Sequence, residues 1–444
     1  MKDHTLSIIV PESFLAEREY LADVVFRQFL AMPYTIRAEK SLIGCCNIVV
    51  GGKTITIKDD FFSRINEAKG YLSKEFLPVN VAFVTSPFLV ENDIPLLYGN
   101  NEITVTAEGI NCGHDIFAAV FFMLSRWEEC VVKETDYLER FPASASVALK
   151  NNFLHRPVVN EWIGMLKNMI AHLLPGVAFN NPQPFELVFT HDIDLLNTPV
   201  SIKEFAKDML KRKRPAAFKK RLGYLFNRSN PYDVFDYFMD VSERNNTLSR
   251  FYFMTGHNVP GRDGEPYNKT ALYPQMLKRI RERGHILGFH PSLLSYNDAA
   301  MFSKEKQQLE RDIGAPVVEG RQHALRFKLP DTWNLWEAQG MKTDSTLGYS
   351  AKEGFRCGTG NTFSVFDVSG RKNLRLKEMP LVIMDTTLHV NRKLGIEVSK
   401  QTINYFIDKG RKYDMPVTLL FHNLINEEID WKGWKLLYQD LFWK

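Results

Sequence analysis

After Glu186 the chain alternates short apolar runs with amphipathic stretches, and this alternation constrains its fold more than any other feature. ELVFTHDID (186–194) and SRFYFMTGHN (249–258) each read as a buried strand running into polar residues. The helical pattern YPQMLKRIRERG follows, then the strand HILGFHPS, the helix SKEKQQLERDIG and the strand PVVEGRQHALRF. A helix at PDTWNLWEAQG, a strand-like MKTDSTLGY and a last strand MPVTLLFHN complete the series. Strands separated by helical segments cannot pair as tight hairpins, so they are expected to form a parallel sheet or a (β/α) barrel.

The preceding residues follow another pattern. Strand-like runs come first, at TLSIIVP, TIRAE, NIVVGGKTITI, VAFVTS and NEITVTA, with Gly51-Gly52 marking a turn. Helical spacing then appears in HDIFAAVFFMLSRWEE (114–129) and RPVVNEWIGMLKNMIAHLL (156–174), where Pro157 suits the first turn. The aromatic and Met stripes of these helices read as core. PGVAFNNPQPF (175–185) has no regular pattern and reads as a linker. The expectation is therefore an α+β N-terminal accessory domain over 1–178 and an α/β domain over 184–444.

Composition narrows the class. Cysteines at 45, 46, 112, 130 and 357 are odd in number and never spaced CxxC, which argues for buried free thiols rather than disulfides or a Cys-rich zinc site. No 18-residue apolar run occurs. The start, with only Leu6 to Val10 apolar and no small-residue cleavage site, reads as a first strand rather than a signal peptide, so a cytoplasmic location is expected. The basic excess gathers in residues 203–228, read as a solvated helical face or as a patch for an anionic partner such as a membrane surface or a lipid-linked glycan. No recognised module accompanies that patch, so no nucleic-acid partner is expected.

In parallel β/α folds the chemistry lies beyond the C-terminal ends of the strands. LVFT ends in His191, Asp192 and Asp194; HILGF ends in His290; VVEG is followed by Arg321, Gln322 and His323; VTLLF ends in His422 and Asn423. Residues 192 and 194 share one face of a strand, so both carboxylates can reach one centre. Two carboxylates with several imidazoles suit a divalent metal of the zinc, cobalt or nickel type. A second carboxylate can take a proton from water, and a protonated His can deliver one to a leaving amine, which describes metal-assisted hydrolysis. No GxSxG elbow, HExxH helix, P-loop or GxGxxG fingerprint is present, so serine hydrolase, zincin and nucleotide-binding readings lack support.

Over about residues 185–425 the order and spacing of these motifs resemble the polysaccharide deacetylases, the NodB-homology group of carbohydrate esterases. The resemblance implies a distorted (β/α) barrel of about seven strands and hydrolysis of an N-acyl, chiefly N-acetyl, group on an amino sugar of a glycan or its precursor. Thr190-His191-Asp192-Ile193-Asp194 stands at the first motif, implying Asp192 as base and Asp194 as metal ligand, with reversed roles as the alternative. Gly288-Phe289-His290-Pro291-Ser292 stands at the second, implying His290 as a metal ligand. The family's next histidine would fall on Leu294, so His323 is the expected third ligand and His191 the alternative. His285 opens its strand and reads as structural. Arg321, with Arg326 behind it, matches the arginine that orients the base, and His422 matches the general acid, with Asn423 as a supporting contact. Asp344 matches an aspartate that tunes the active-site histidine, or is a turn residue. GFRCGTGNTFSVFDV (354–368) looks like a loop shaping a sugar subsite, where Phe355, Phe363 or Trp336 could stack on a sugar or pack in the core. The alternatives are a degenerate glycan-binding or scaffold barrel, motivated by Leu294, and hydrolysis of another C–N bond.

Overall fold

The structure, a computed structural model, describes residues 5–66, 70–196, 230–264, 266–268, 270–426 and 430–441, with positions 219 and 223. It is a mixed α/β chain that divides into two compact units. Unit 1 takes Met1–Glu186, Phe327–Val382 and Phe406–Val417; unit 2 takes Leu187–Arg326, Ile383–Tyr405 and Thr418–Lys444. Two segments that the sequence pattern assigned to the second domain thus group with the first. Most of the basic segment 203–228 lies outside the described residues.

In unit 1, β1 (Leu6–Val10), β2 (Tyr34–Ala38), β3 (Cys45–Val50) and β4 (Lys53–Lys58) form most of a six-stranded sheet. Gly51 and Gly52, with φ of 58° and 77°, make the tight turn between β3 and β4, where both central residues must adopt a left-handed backbone. β5 (Ala82–Val84) and β6 (Ile94–Leu96) form a separate pair, and β7 (Gly99–Val105) with β8 (Gly109–His114) completes the order β2-β1-β3-β4-β8-β7. Helix Ile116–Leu124 is buried at every position, and Asp115 caps it by accepting the Ala118 amide at 2.9 Å. The pattern over 114–129 predicts one helix, but Arg126 takes a left-handed backbone, φ 54°, and a second helix, Trp127–Val131, begins after it. Helix Val158–Leu173 buries ten side chains, six of them Val, Ile or Leu and worth roughly 1.5–3 kcal/mol each when fully buried.

The largest sheet is curled and nine-stranded. Its strands are β9 (Leu187–Ile193), β10 (Ser249–Phe253), β11 (Ile286–Phe289), β12 (Glu319–Gly320), β13 (Thr343–Asp344), β14 (Phe363–Asp367), β15 (Lys372–Glu378), β16 (Leu381–Met384) and β17 (Val417–Leu420), in the order β14-β15-β13-β12-β11-β10-β9-β17-β16. The sequence pattern suggested longer strands at VVEG and MKTDS; each shrinks to two residues. After Gly320 the chain turns at once through His323–Leu325, where Ala324 and Leu325 have φ of 55° and 52°.

In unit 2, β9, β10, β11 and β12 run parallel. Their register sets Ile193 beside Phe253, Phe253 beside Phe289, and Phe289 beside Gly320. The next residues, Asp194, His290 and Arg321, therefore leave the sheet at one edge. On the other side of β9, the Phe421 amide donates to the Thr190 carbonyl at 3.0 Å, which brings His422 to the same edge. Helix Ala299–Ile313 follows β11; Asp298 caps it through the Met301 amide at 2.9 Å, and Gly314, φ 72°, ends it.

Candidate functional site

The side chains of β9 alternate in environment as a strand requires. His191 points into an aromatic nest, stacked on Phe238 with ring centroids 3.8 Å apart and on Phe251 at 4.9 Å. Its Nδ1 donates to the Phe421 carbonyl at 2.8 Å and its Nε2 lies 3.2 Å from the Ser249 hydroxyl. Burial lowers its pKa to about 3, so it stays neutral. With both ring nitrogens engaged, His191 has no atom to offer a metal, which removes it as the alternative third ligand.

Asp192 and Asp194 face the other way and meet three imidazoles. His290 Nε2 lies 3.3 Å from Asp194 Oδ1, His323 Nε2 lies 4.0 Å from the same oxygen, and His422 Nε2 lies 3.7 Å from Asp194 Oδ2. Each ring is fixed from behind through Nδ1: His290 by the Arg321 carbonyl at 2.7 Å, His323 by Asp263 at 2.9 Å, His422 by Asp385 at 2.7 Å. A carbonyl or carboxylate oxygen only accepts, so every Nδ1 is the donor and every Nε2 is turned toward Asp194. Asp192 is held separately. Arg321 Nη1 donates to its Oδ1 at 2.9 Å and to the Thr190 hydroxyl at 2.9 Å, while its Oδ2 lies 3.9 Å from His290 Nε2.

The electrostatics follow from this crowding. Burial would raise the Asp194 pKa, but His290, His323 and His422 outweigh it and hold the carboxyl well below the usual range. Burial would lower the His290 pKa, yet Asp192 and Asp194 raise it above the ordinary value. Burial acts the same way on His422, where Asp385, Asp194 and Asp192 prevail and bring it to about 9. The positive charge that these carboxylates draw can come from protons on the imidazoles or from a divalent cation in their place.

Ligand atoms of Asp194, His290 and His323 lie within 4.8 Å of one another, the spacing of a three-ligand centre. Asp194 Oδ1 is buried and makes no hydrogen bond, while the side chain as a whole keeps 31% exposure. A buried oxygen without a donor, facing two imidazole nitrogens, fits a cation, and the exposed remainder leaves access for water or substrate. One carboxylate with two imidazoles is a donor set suited to zinc, cobalt or nickel.

Residues 6–175 match a family of unknown function, DUF7033. No curated protein matches the chain. The family match lies within unit 1 and does not reach the side chains described above.

The remaining expected residues are placed elsewhere. Asn423 does not hold His422: its Nδ2 donates to the Leu195 carbonyl at 2.5 Å and the Tyr232 carbonyl at 3.1 Å, tying two loops together. Asp385 supports His422 instead, accepting its ring N–H and, through Oδ2, its backbone N–H at 2.7 Å. Phe355 is 1% exposed and meets the Phe406 ring edge-on at 5.4 Å within unit 1, so it presents no face to a sugar. Phe363 and Trp336 are fully buried as well. Asp344, also in unit 1, behaves as a turn residue, its Oδ1 accepting the Thr346 amide at 3.0 Å and the Thr346 hydroxyl. Arg326 donates to the Leu293 carbonyl at 3.2 Å and lies over the Tyr296 ring at 4.1 Å. His285 accepts the Ser249 amide at 3.0 Å and faces Glu243 at 3.2 Å, a structural role at the start of β11.

Asp385 and Asp263 were missed. Asp385 was legible, since LVIMD is an apolar run ending in an acid, the same pattern that picked out Asp192. Asp263 lies in an irregular loop after β10 and carries no sequence signal.

Proposed function

We propose that this chain is a metal-dependent hydrolase that removes an N-acyl group, chiefly acetyl, from an amino sugar of a glycan or glycan precursor. One observation carries the reading: three Nδ1-anchored imidazoles turn Nε2 toward Asp194 within 4.0 Å, beside an Asp192 clamped by Arg321. The choice of an amino-sugar amide is supported by the resemblance of the Asp192-to-His422 motifs to polysaccharide deacetylases. Its finer architectural counterpart, a seven-stranded NodB-like barrel, belongs to the same proposal.

Asp194, His290 and His323 would hold the cation, zinc in the first instance. When bound, it polarises the amide carbonyl and lowers the pKa of an attacking water. Asp192 accepts the proton of that water; Arg321 occupies Oδ1 and so directs Oδ2 to the task. His422, protonated and backed by Asp385, delivers a proton to the departing amine nitrogen. Thr190 shares the Arg321 guanidinium and keeps it from swinging away from Asp192.

The test is metal analysis of the purified protein alongside turnover of an N-acetylated amino-sugar oligomer. Expected are one bound transition metal per chain, its loss in His290→Ala, and a fall in turnover of about 10²–10⁴-fold in Asp192→Asn with the metal retained. Full turnover by Asp192→Asn removes the proposed base and with it this mechanism.

A further inference from the structure

His323 does not stand on a strand. It follows the two-residue β12 and is backed by the loop after β10, in residues 254–264. That loop converges on Asp263, whose carboxylate is fully buried. Asp263 Oδ2 accepts the amides of Asn258 at 2.9 Å and Val259 at 2.7 Å; Oδ1 accepts the Leu293 amide at 2.9 Å and the His323 ring N–H at 2.9 Å. Three backbone donors need an ionised, acceptor-only carboxylate, so His323 Nδ1 must carry the hydrogen. Its Nε2 is the ring atom left for a metal, and it lies 4.0 Å from Asp194 Oδ1.

The loop is braced at a distance by Glu305, which is buried in helix Ala299–Ile313. Glu305 Oε1 accepts the Asn258 amide nitrogen at 2.7 Å and the Ser292 hydroxyl at 2.6 Å; Oε2 accepts the Ser292 backbone at 2.9 Å. Its carbonyl accepts the Thr255 hydroxyl at 2.7 Å. A Cβ on Gly256 would sit 2.0 Å from Glu305 Oε1, so any larger residue there would have to displace this carboxylate. Just past the loop, the Tyr267 hydroxyl donates to the Ile193 carbonyl at 2.6 Å, one residue before Asp194.

We infer that Asp263 is a positioning residue that makes His323 a metal ligand by fixing its tautomer and ring orientation, and that Glu305 acts on the same histidine through the loop. This rests on the metal-centre reading above. In it, a loop carboxylate does for His323 what a main-chain carbonyl does for His290, whose Nδ1 is fixed by Arg321 just past the end of β12. Outer carboxylates of this kind set metal affinity by about 10–100-fold.

The experiment titrates Co(II) into metal-stripped full-length protein and follows the d–d absorption, for wild type, His290→Ala, Asp263→Asn and Glu305→Gln. Nitrogen-15 histidine NMR reads the His323 tautomer of the same stripped samples. Expected are at least tenfold weaker cobalt binding in Asp263→Asn with loss of the Nδ1–H tautomer, and at least threefold weaker binding in Glu305→Gln. If Asp263→Asn does not fold, Glu305→Gln decides, because it leaves Asp263 and its three amide donors in place. Cobalt affinity within twofold of wild type in the folded variants, with binding lost in His290→Ala, overturns this inference and leaves the metal centre standing. Failure of wild type to bind cobalt overturns both.

Discussion

Replacing Asp385 by Asn tests the electrostatic assignment of His422. The carboxylate holds His422 twice, ring and backbone, at 2.7 Å each, and also accepts the Thr386 amide at 2.6 Å, in a site where Asp385 is 1% exposed. Burial pulls the imidazole pKa down, and Asp385 leads the groups that bring it up to about 9. The rise from 6.5 to about 9 corresponds to about 3 kcal/mol, at ~1.4 kcal/mol per pH unit. Because the folded value lies above the unfolded one, this stabilisation is fully present below about pH 6.5 and is lost as pH rises through about 9. Asparagine keeps the shape and one acceptor but removes the charge. His422 should then titrate below pH 7, and the stability gap between wild type and variant should be about 4 kcal/mol at pH 6, narrowing by about 3 to about 1 kcal/mol above pH 9.5, where one neutral hydrogen bond remains at stake. The assay is denaturant unfolding in EDTA at both pH values, with His422 followed by histidine NMR. In turnover, the variant should lose its activity at pH 8 more than at pH 6, since the acid is then mostly deprotonated; a bound cation lowers both His422 values together and leaves that contrast. A stability gap equal at pH 6 and pH 9.5, with His422 still titrating near 9, would refute Asp385 as the source of the shift.

Metal uptake should release protons, because His290 is raised above its ordinary value in the cation-free protein; calorimetry in buffers of different ionisation enthalpy should show that release, with affinity increasing as pH rises by up to tenfold per unit for each proton released. His191→Ala should destabilise the protein by about 2–5 kcal/mol, by analogy with other large-to-small core substitutions, and leave metal stoichiometry unchanged; loss of metal without loss of stability would reinstate His191 as the ligand. His114, buried in unit 1, has its pKa lowered to about 4 by burial, so it contributes to a fall in stability as pH drops from about 6.5 to 4; His114→Gln should shrink that fall by about 3 kcal/mol in denaturant titrations, and an unchanged acid slope would refute it.

The edge that carries the candidate site was readable because strand ends are readable. An apolar run of β length that stops at an ionisable residue locates both a strand and the place where its chemistry emerges, and this located Asp192, Asp194, His290 and His422. What turned the candidates into a geometry was register, and register is a property of pairs of strands that no single run contains. His323 was reached by the same rule, from the run VVEG, although that strand is only two residues long and a positive-φ turn begins right after His323. Phe355 and Asn423 illustrate the opposite failure: an aromatic in a Gly-rich loop and an amide beside a catalytic histidine look functional in sequence, yet one is packed against Phe406 and the other is consumed by two main-chain carbonyls. Asp263 could not be found this way, because three of its four partners are backbone amides, which carry no residue identity.

β9 shows why the readable part was readable. Phe189, His191 and Ile193 are fully buried on one face, with Phe189 against Tyr438 at 5.2 Å and His191 against Phe238 at 3.8 Å. Thr190, Asp192 and Asp194 occupy the other face and carry the hydrogen bonds and ion pairs of the site. A slip of one residue would drive two carboxylates into the aromatic nest and set the apolar side chains among the buried polar groups of the site, an exchange no register near the native one could offset. The packing face therefore fixes the position of the chemical face: the residues that hold β9 in its sheet are also what keep Asp192 under Arg321 and Asp194 between His290, His323 and His422.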